Sequence, residues 1–195
     1  MSICLRNVLF GFVLLCSACS QQITLHSTPI SLKQTAVIST PARYFVDRIN
    51  TPILYQNQLG KKRNFAGQFL AWIETDSDLS AWAEQEWSSF LMRHGAVIVP
   101  RRSEADFNVV CDVLFISVDK KNHVSGDDTF FADLKLKIKI KHLPDNATVY
   151  DNTFSTRFNT ERPSEQEASM PDDRMLNYCL SMVFQKALEQ IRLSQ

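Results

Sequence analysis

The clearest pattern in the chain is a strict alternation of apolar and polar residues between positions 134 and 141. The alternating residues are Leu134, Lys135, Leu136, Lys137, Ile138, Lys139, Ile140 and Lys141. Successive side chains of a strand point to opposite faces, so this period of two predicts a strand with one buried face and one lysine face. Runs rich in β-forming residues at 106–118 and 148–158 lie on either side, separated by polar turns. Together the three runs predict an antiparallel meander.

Two segments show the spacing that is typical of amphipathic helices. The first follows the capping residues Ser77 and Asp78 and stops at Gly95, with Glu86 as the one polar residue on its apolar side. The second begins near Ser169-Met-Pro171-Asp172 and carries an apolar stripe that ends at Ile191. Both stripes need an apolar surface to cover. The pattern therefore predicts an α+β two-layer sandwich, a mostly antiparallel sheet with two helices packed on one face.

The first half of the chain shows shorter β-favouring runs that are broken by prolines. These runs predict strands near 35–39, 52–56 and 68–74, and an edge strand over 96–100. The basic segment 60–64 lies between two of them and is interpreted as a turn or loop.

The N-terminus combines a positive charge at Arg6, an uncharged run from Val8 to Leu15, and the small residues Ser17 and Ala18. These are the three parts of a secretory signal. The apolar run has about eight residues, whereas a membrane-spanning helix needs roughly 20. We therefore expect an export signal over residues 1–18.

Ser17-Ala18-Cys19 resembles the lipobox of bacterial lipoproteins, in which cleavage leaves the cysteine at the new N-terminus with a diacylglycerol on its sulfur. The resemblance implies that Cys19 is lipidated. Residue 20 is serine rather than the aspartate that retains enteric lipoproteins in the inner membrane, which implies attachment to the outer membrane on its periplasmic side. An ordinary secretory signal without a lipid is the alternative.

The polar segment 19–35 has no sustained period, and we expect a lipidated flexible tether there. Residues 36–195 are then a single periplasmic domain, long enough for a hydrophobic core. The whole chain carries 21 basic and 21 acidic residues. A nucleic-acid-binding domain would carry a basic excess, so this balance argues against that class.

Two cysteines, Cys111 and Cys179, lie beyond the signal and the lipidation site. In an oxidising periplasm such a pair can form a disulfide. Each also occupies an apolar position of its element, where a free cysteine behaves as a small buried hydrophobe. The sequence leaves both alternatives open.

Sequence motifs for catalysis are missing. The four histidines do not have the spacing of a zinc site, and there is no nucleophile elbow, P-loop or dinucleotide fingerprint. The acid pairs Asp127-Asp128 and Asp172-Asp173 fit a turn and a helix N-terminus. We therefore expect no catalytic residue, no metal ligand and no cofactor.

The lysine face is the surface feature that suggests a ligand. Lys135, Lys137, Lys139 and Lys141, with the basic triplet 61–63 and the basic pairs 101–102 and 120–121, could bind the phosphates of anionic lipids or lipopolysaccharide. The alternative is a solvated sheet face, or an edge strand that its lysines keep from aggregating.

The order of these elements is similar to that of the small periplasmic α+β lipoproteins of Gram-negative bacteria, namely the lipopolysaccharide-assembly lipoprotein and the auxiliary lipoproteins of ABC-type lipid transport systems. The residues that carry the likeness are the lipobox, the helix–Gly–strand break over 91–99, Ala105-Asp106-Phe107, and the lysine strand with its Pro144-Asp145 turn. The resemblance implies a non-catalytic accessory subunit of envelope transport or assembly, with a protein partner. A structural or pilotin-like lipoprotein of a secretion or motility apparatus is the alternative.

Overall fold

The computed structural model describes residues 20–27, 42–124, 128–161 and 170–191. In these ranges eight strands form one sheet, and two long helices lie on the same face of it. The strands are β1 (Ser20–Gln22), β2 (Arg43–Asn50), β3 (Gln58–Arg63), β4 (Phe69–Glu74), β5 (Val97–Ile98), β6 (Phe107–Lys121), β7 (Thr129–His142) and β8 (Thr148–Glu161). The helices are α1 (Leu79–Arg93) and α2 (Asp172–Leu188), and 3-10 turns cover Tyr55–Asn57 and Arg102–Glu104. The predicted α+β two-layer fold is confirmed.

The sheet is organised around the long strand β6. Strand β7 runs antiparallel to β6 along its whole length, and β8 runs antiparallel to β7. On its other edge, β6 pairs with β2 at its start and with β3 at its end, both in parallel. Strand β4 is antiparallel to β3, β1 is parallel to β4, and β5 is parallel to β2. The sheet is thus mixed, with the predicted meander as its longest part.

The alternation in β7 places its apolar side chains under the helices. Leu134, Leu136, Ile138 and Ile140 are at most 3% exposed, and they belong to one core cluster with Phe184 and other residues of α2. Because β7 lies between β6 and β8, the interpretation of the lysine strand as an edge strand is wrong.

The helix-to-helix contact holds a buried polar cluster. Glu86 of α1 is 1% exposed and accepts hydrogen bonds from Ser181 Oγ (2.7 Å) and Gln185 Nε2 (2.5 Å) of α2. Buried polar atoms need such partners, since leaving them unpaired costs free energy. The polar residue noted in the apolar side of the first helix therefore pairs with polar residues of the second. Asp78 caps α1, as expected, by accepting from the backbone N–H groups of Ser80 and Ala81.

The predicted strands in the first half need correction. Residues 52–56 do not form the predicted strand. The strand in this region lies earlier in the chain: it is β2, which ends at Asn50, ahead of Pro52. Residues 60–64 are not a loop, because Gln58–Arg63 is strand β3. At Gly60, a Cβ atom would lie 1.5 Å from the carbonyl oxygen of Val118, so the glycine is needed for the close approach of β3 to β6. The strand predicted near 35–39 lies outside the described residues.

The predicted tether is wrong for residues 20–27, which belong to the folded domain. Ser20–Gln22 pair with β4, and Ile23 and Leu25 are 3% and 8% exposed in the core. Backbone N–H groups here are satisfied by the domain: that of Leu25 donates to Ser77 Oγ and that of His26 to Asn177 Oδ1, both at 2.9 Å. Burial of alternate apolar side chains stabilises this segment. Residues 28–35 of the predicted tether lie outside the described ranges.

Candidate functional site

The candidate site begins at a gap in the pairing of β6. On the side of β2 and β3, β6 pairs at residues 107–112 and again at 120–121, and Gly60 of β3 lies against the carbonyl oxygen of Val118. Among the described residues, no strand covers the stretch of β6 between Asp112 and Val118. A β-bulge between Val113 and Phe115 falls in this stretch, and it turns both Leu114 (47% exposed) and Phe115 (51% exposed) away from the core. The bulge therefore gives the gap an apolar floor.

A groove of about 550 Å³ occupies this gap. Its apolar lining includes Leu114, Phe115, Trp72, Leu54 and the fully exposed Ile53. This volume is in the range of pockets that hold small ligands, roughly 300–1,000 Å³. An apolar floor with a few polar groups at its rim suits a ligand that is itself amphiphilic.

The β3–β4 hairpin supplies cations to one wall of the groove. Lys61 of β3 lies opposite Trp72 of β4, and its Nζ is 5.1 Å from the centroid of the indole ring. Arg63 lies opposite Phe69, whose ring is 5.0 Å from that of Trp72. Cation–π contacts of this kind hold a positive charge against an apolar surface.

Carboxylates complete the polar rim of the groove. Asp119 accepts a hydrogen bond from the backbone N–H of Lys61 (2.8 Å), and its Oδ2 lies 3.8 Å from Arg63 Nε. Asp133 accepts from Arg157 through Nε (2.5 Å) and Nη2 (3.1 Å). This bidentate bond raises the pKa of the Arg157 guanidinium above its usual value. The carboxylates thus anchor the rim cations in place.

The predicted lysine face adjoins this groove at one end. Phe115 pairs with Lys135 across β6 and β7, and a second depression of about 570 Å³, lined by Phe115, Lys135 and Arg157 among others, extends the groove along this face. Lys135 and Lys137 are exposed. Lys139 Nζ lies 3.3 Å from Asp151 Oδ2, and Lys137 pairs in register with Asp112. Acids of the neighbouring strands therefore offset part of the positive charge of the lysine face.

The other basic pairs do not all join this surface. Lys120 points toward the helices, is 4% exposed, and lies 2.7 Å from Asp128 and 2.5 Å from Asp172. It cannot contact an external anion, so its place in the predicted patch is wrong. Arg101 lies 3.7 Å from Glu104 in the 3-10 turn. The acids Asp128 and Asp172 serve the buried Lys120, while Asp127 lies outside the described residues.

Both core cysteines are free thiols, and the disulfide between Cys111 and Cys179 is not formed. Cys111 lies on β6 and Cys179 on α2, and each is 0% exposed. Burial raises the pKa of both thiols to about 12.

Two features bear on the expected location. Cys19 lies outside the described residues, but Ser20, to which it is bonded, pairs with Trp72 at the groove. Neither helix in the described ranges is long and apolar enough to cross a membrane.

The sequence pattern does not predict the groove, because the groove depends on how β2 and β3 divide one edge of β6. One signal is present in the sequence: Leu114-Phe115 breaks the alternation of its strand, as a bulge does.

Comparison with solved structures finds distant likenesses. Protein XCC0632 from Xanthomonas campestris, described as DUF330, superposes with a TM-score of 0.49 at 17% identity, over 89% of this chain and 91% of that one. Protein CT253 from Chlamydia trachomatis gives 0.49 at 8% identity, over 77% and 95%. A minor lipoprotein from Acinetobacter baumannii gives 0.36 at 8% identity, over 77% and 87%. Likeness at this level assigns neither a family nor a function to the chain.

No protein-family model matches the chain, and no curated protein matches it.

Proposed function

We propose that the protein is a lipoprotein of the bacterial cell envelope, anchored in the outer membrane by a lipid on Cys19 and facing the periplasm. In this role it is a non-catalytic accessory subunit of envelope transport or assembly. It contacts a protein partner and handles lipid or lipopolysaccharide in the groove beside β6.

The observation that carries the anchor is the lipobox-like Ser17-Ala18-Cys19 after a short apolar run. Metabolic labelling with radioactive palmitate tests it. The label should be present on the wild type, lost from Cys19→Ala and retained by the matched control Cys16→Ala. Label on the Cys19→Ala variant would refute lipidation at this residue.

The groove supports the lipid-handling part of the proposal. Its floor of Leu114 and Phe115 suits acyl chains, and Lys61 and Arg63 at its rim suit a phosphate. Protein purified from the envelope should carry phospholipid or lipopolysaccharide that mass spectrometry detects. Phe115→Asp should remove that lipid, because a carboxylate on the floor repels both acyl chains and phosphates. Val149→Asp, at a position on β8 that is similarly exposed (46% against 51%), is the matched control.

Mild crosslinking in cells followed by purification tests the accessory role. Capture of a transporter or translocon subunit would support it. Capture of a secretin or a ring protein would favour the structural, pilotin-like role instead. Genomic neighbours of the coding sequence offer an independent check.

A further inference from the structure

The turn that joins β3 and β4 carries a cluster of exposed apolar side chains. Phe65 is 62% exposed, Phe69 is 49% exposed and Leu70 is 45% exposed. Leu70 is extruded by a bulge, because Lys62 pairs with Ala71 while Arg63 already pairs with Phe69. Neighbouring large apolar side chains on a surface mark a contact site rather than ordinary exposure.

Hydrogen bonds fix the backbone of the turn that carries these side chains. The backbone of Asn64 bonds in both directions, donating to Gln68 O and accepting from Gly67 N, each at 2.9 Å. Asn64 Oδ1 also accepts from the backbone N–H of Gln68 (2.9 Å), and Gly67 has a φ of +81°, which a glycine adopts without strain. The apolar cluster is therefore presented by a hydrogen-bonded hairpin.

The chemistry of the hairpin fits the boundary between water and lipid. Trp72 and Phe69 lie together on one face, and Lys61 and Arg63 flank them. Tryptophan and other amphipathic rings prefer the headgroup level of a bilayer, and lysine and arginine near the surface are attracted to anionic headgroups. One surface thus carries apolar side chains that can insert into a bilayer and cations that attract its anionic headgroups.

The path of the chain brings the N-terminus to the same surface. Strand β1 is parallel to β4 and begins with Ser20 beside Trp72, so the first described residue lies at the hairpin. From Trp72 back to Phe69 is about 10 Å at the rise of a strand. Residue 19 is bonded to Ser20, which places the two Cα atoms about 3.8 Å apart. A lipid on Cys19 therefore has no tether between it and the folded domain.

We propose that the β3–β4 hairpin, through Phe65, Phe69, Leu70 and Trp72, docks on the surface of the bilayer that receives the Cys19 lipid. The docked domain keeps a fixed orientation, and the groove lined by Lys61, Arg63 and Trp72 opens at the headgroup level. This inference rests on the lipid anchor proposed above.

Trp72 provides an internal reporter for the test. Trp82 and Trp87 are 3% and 0% exposed in the core, whereas Trp72 is half-buried on the hairpin. The lipidated protein is reconstituted into vesicles of phosphatidylethanolamine and phosphatidylglycerol that contain brominated phosphatidylcholine, which quenches tryptophan at short range. We expect quenching in the wild type and its loss in Trp72→Phe.

The docking variant is Phe65→Ser combined with Leu70→Ser, at side chains that lie outside the core. We expect it to retain the palmitate label, unfold at the wild-type temperature and lose the quenching of Trp72. The matched control is Met92→Ser combined with Val149→Ser, at positions that are 62% and 46% exposed on other elements. The control should be quenched like the wild type.

Each outcome separates docking from anchoring. A labelled wild type whose Trp72 is not quenched overturns docking and leaves the anchor intact. If the label is absent, the purified protein is added to the same vesicles; quenching then supports docking without an anchor, and no quenching overturns it. A wild type that self-associates, and becomes monomeric with the docking substitutions, assigns the surface to a second copy and also overturns the inference.

Discussion

The Nζ of Lys120 lies 2.5 Å from Oδ2 of Asp172, which joins the end of β6 to the first residue of α2. A second carboxylate, that of Asp128, lies 2.7 Å from the same Nζ. The lysine side chain is 5% exposed, whereas Asp172 and Asp128 retain 24% and 15% exposure. Its removal would leave two partly buried carboxylates together without this cation.

Lys120→Ala should therefore destabilise the fold, by about 3 kcal/mol, the lower end of the cost of breaking a buried ion pair. Urea unfolding measures this change. Lys121→Ala is the matched control, because Lys121 is the next residue of β6 and is not buried. A surface change of that kind costs at most about 0.5 kcal/mol. Equal loss in the two variants would contradict a structural role for the ion pair.

Gly60→Ala should lower the unfolding temperature more than Gly67→Ala does, although Gly67 has a positive φ and Gly60 does not. At Gly67 the added methyl meets open space, so the cost is the backbone strain of about 1–2 kcal/mol. At Gly60 it would lie 1.5 Å from the backbone oxygen of Val118, which forces β3 away from β6. Thermal unfolding of both variants checks the order. The opposite order would mean that β3 can shift at little cost.

The two halves of the chain differ in how far their sequence patterns predict their structure. The meander and both helices were predictable because their apolar residues repeat with the period of a strand or of a helix over many residues. The capping residue Asp78 also marks the start of α1. Strand β3 was mistaken for a loop, because Lys61, Lys62 and Arg63 do not alternate in hydrophobicity. Their faces are set by tertiary contacts: Lys61 packs on Trp72, and Lys62 Nζ lies 4.0 Å from Asp172.

The groove was out of reach for a related reason. It exists because β2 and β3, which are consecutive strands, pair with opposite ends of the same neighbour. Parallel pairing between distant segments leaves no local signature in the sequence. The buried segment over Ile23 and Leu25 was likewise overlooked, since two apolar residues in a polar stretch are too few to establish a period.

Cys111 and Cys179 should be inert in the native protein at pH 8, because burial raises the pKa of each thiol to about 12. Iodoacetamide followed by mass spectrometry should label neither residue in buffer and both in urea without reductant. The unfolded chain releases these thiol protons near the ordinary pKa of 9.0. The contribution of the two protonated thiols to the free energy of unfolding is therefore complete below pH 9.0 and is lost as the pH rises toward 12. A disulfide would instead leave both residues unlabelled in urea.

Arg43→Gln should raise the pKa of Asp106 toward its ordinary value of 3.8. In the wild type, hydrogen bonds from the Arg43 side chain, and then from its backbone N–H, lower the pKa of this carboxyl. The interaction thus stabilises the fold above pH 3.8 and is lost as the pH falls through the lower folded-state pKa. Titration of the Asp106 carboxyl carbon, followed by NMR, measures this pKa in the wild type and in the variant. Arg48→Gln, on the same strand, should leave it unchanged.

The lysines of the lysine face should contribute unequally to the binding of anionic lipid. Lys135 and Lys137 are exposed, whereas Lys139 is already paired with Asp151 at 3.3 Å. If the face binds anionic lipid, Lys135→Gln combined with Lys137→Gln should weaken that binding. At about 1 kcal/mol for each cation near an anionic surface, the loss is roughly 30-fold at low salt. Lys139→Gln alone should have a smaller effect, because its charge is offset by Asp151.

The core residues in the described ranges all lie between Ile23 and Ile191, so a chain that begins at Ser20 contains the core and can be tested without a lipid anchor. Its sedimentation with sucrose-loaded vesicles, with and without phosphatidylglycerol, measures the binding. The difference between the variants should shrink as salt rises, because ions screen exposed charges. Equal binding of wild type and the double variant at low salt would show that this face is simply solvated, and would leave Lys61 and Arg63 as the cations that meet the membrane.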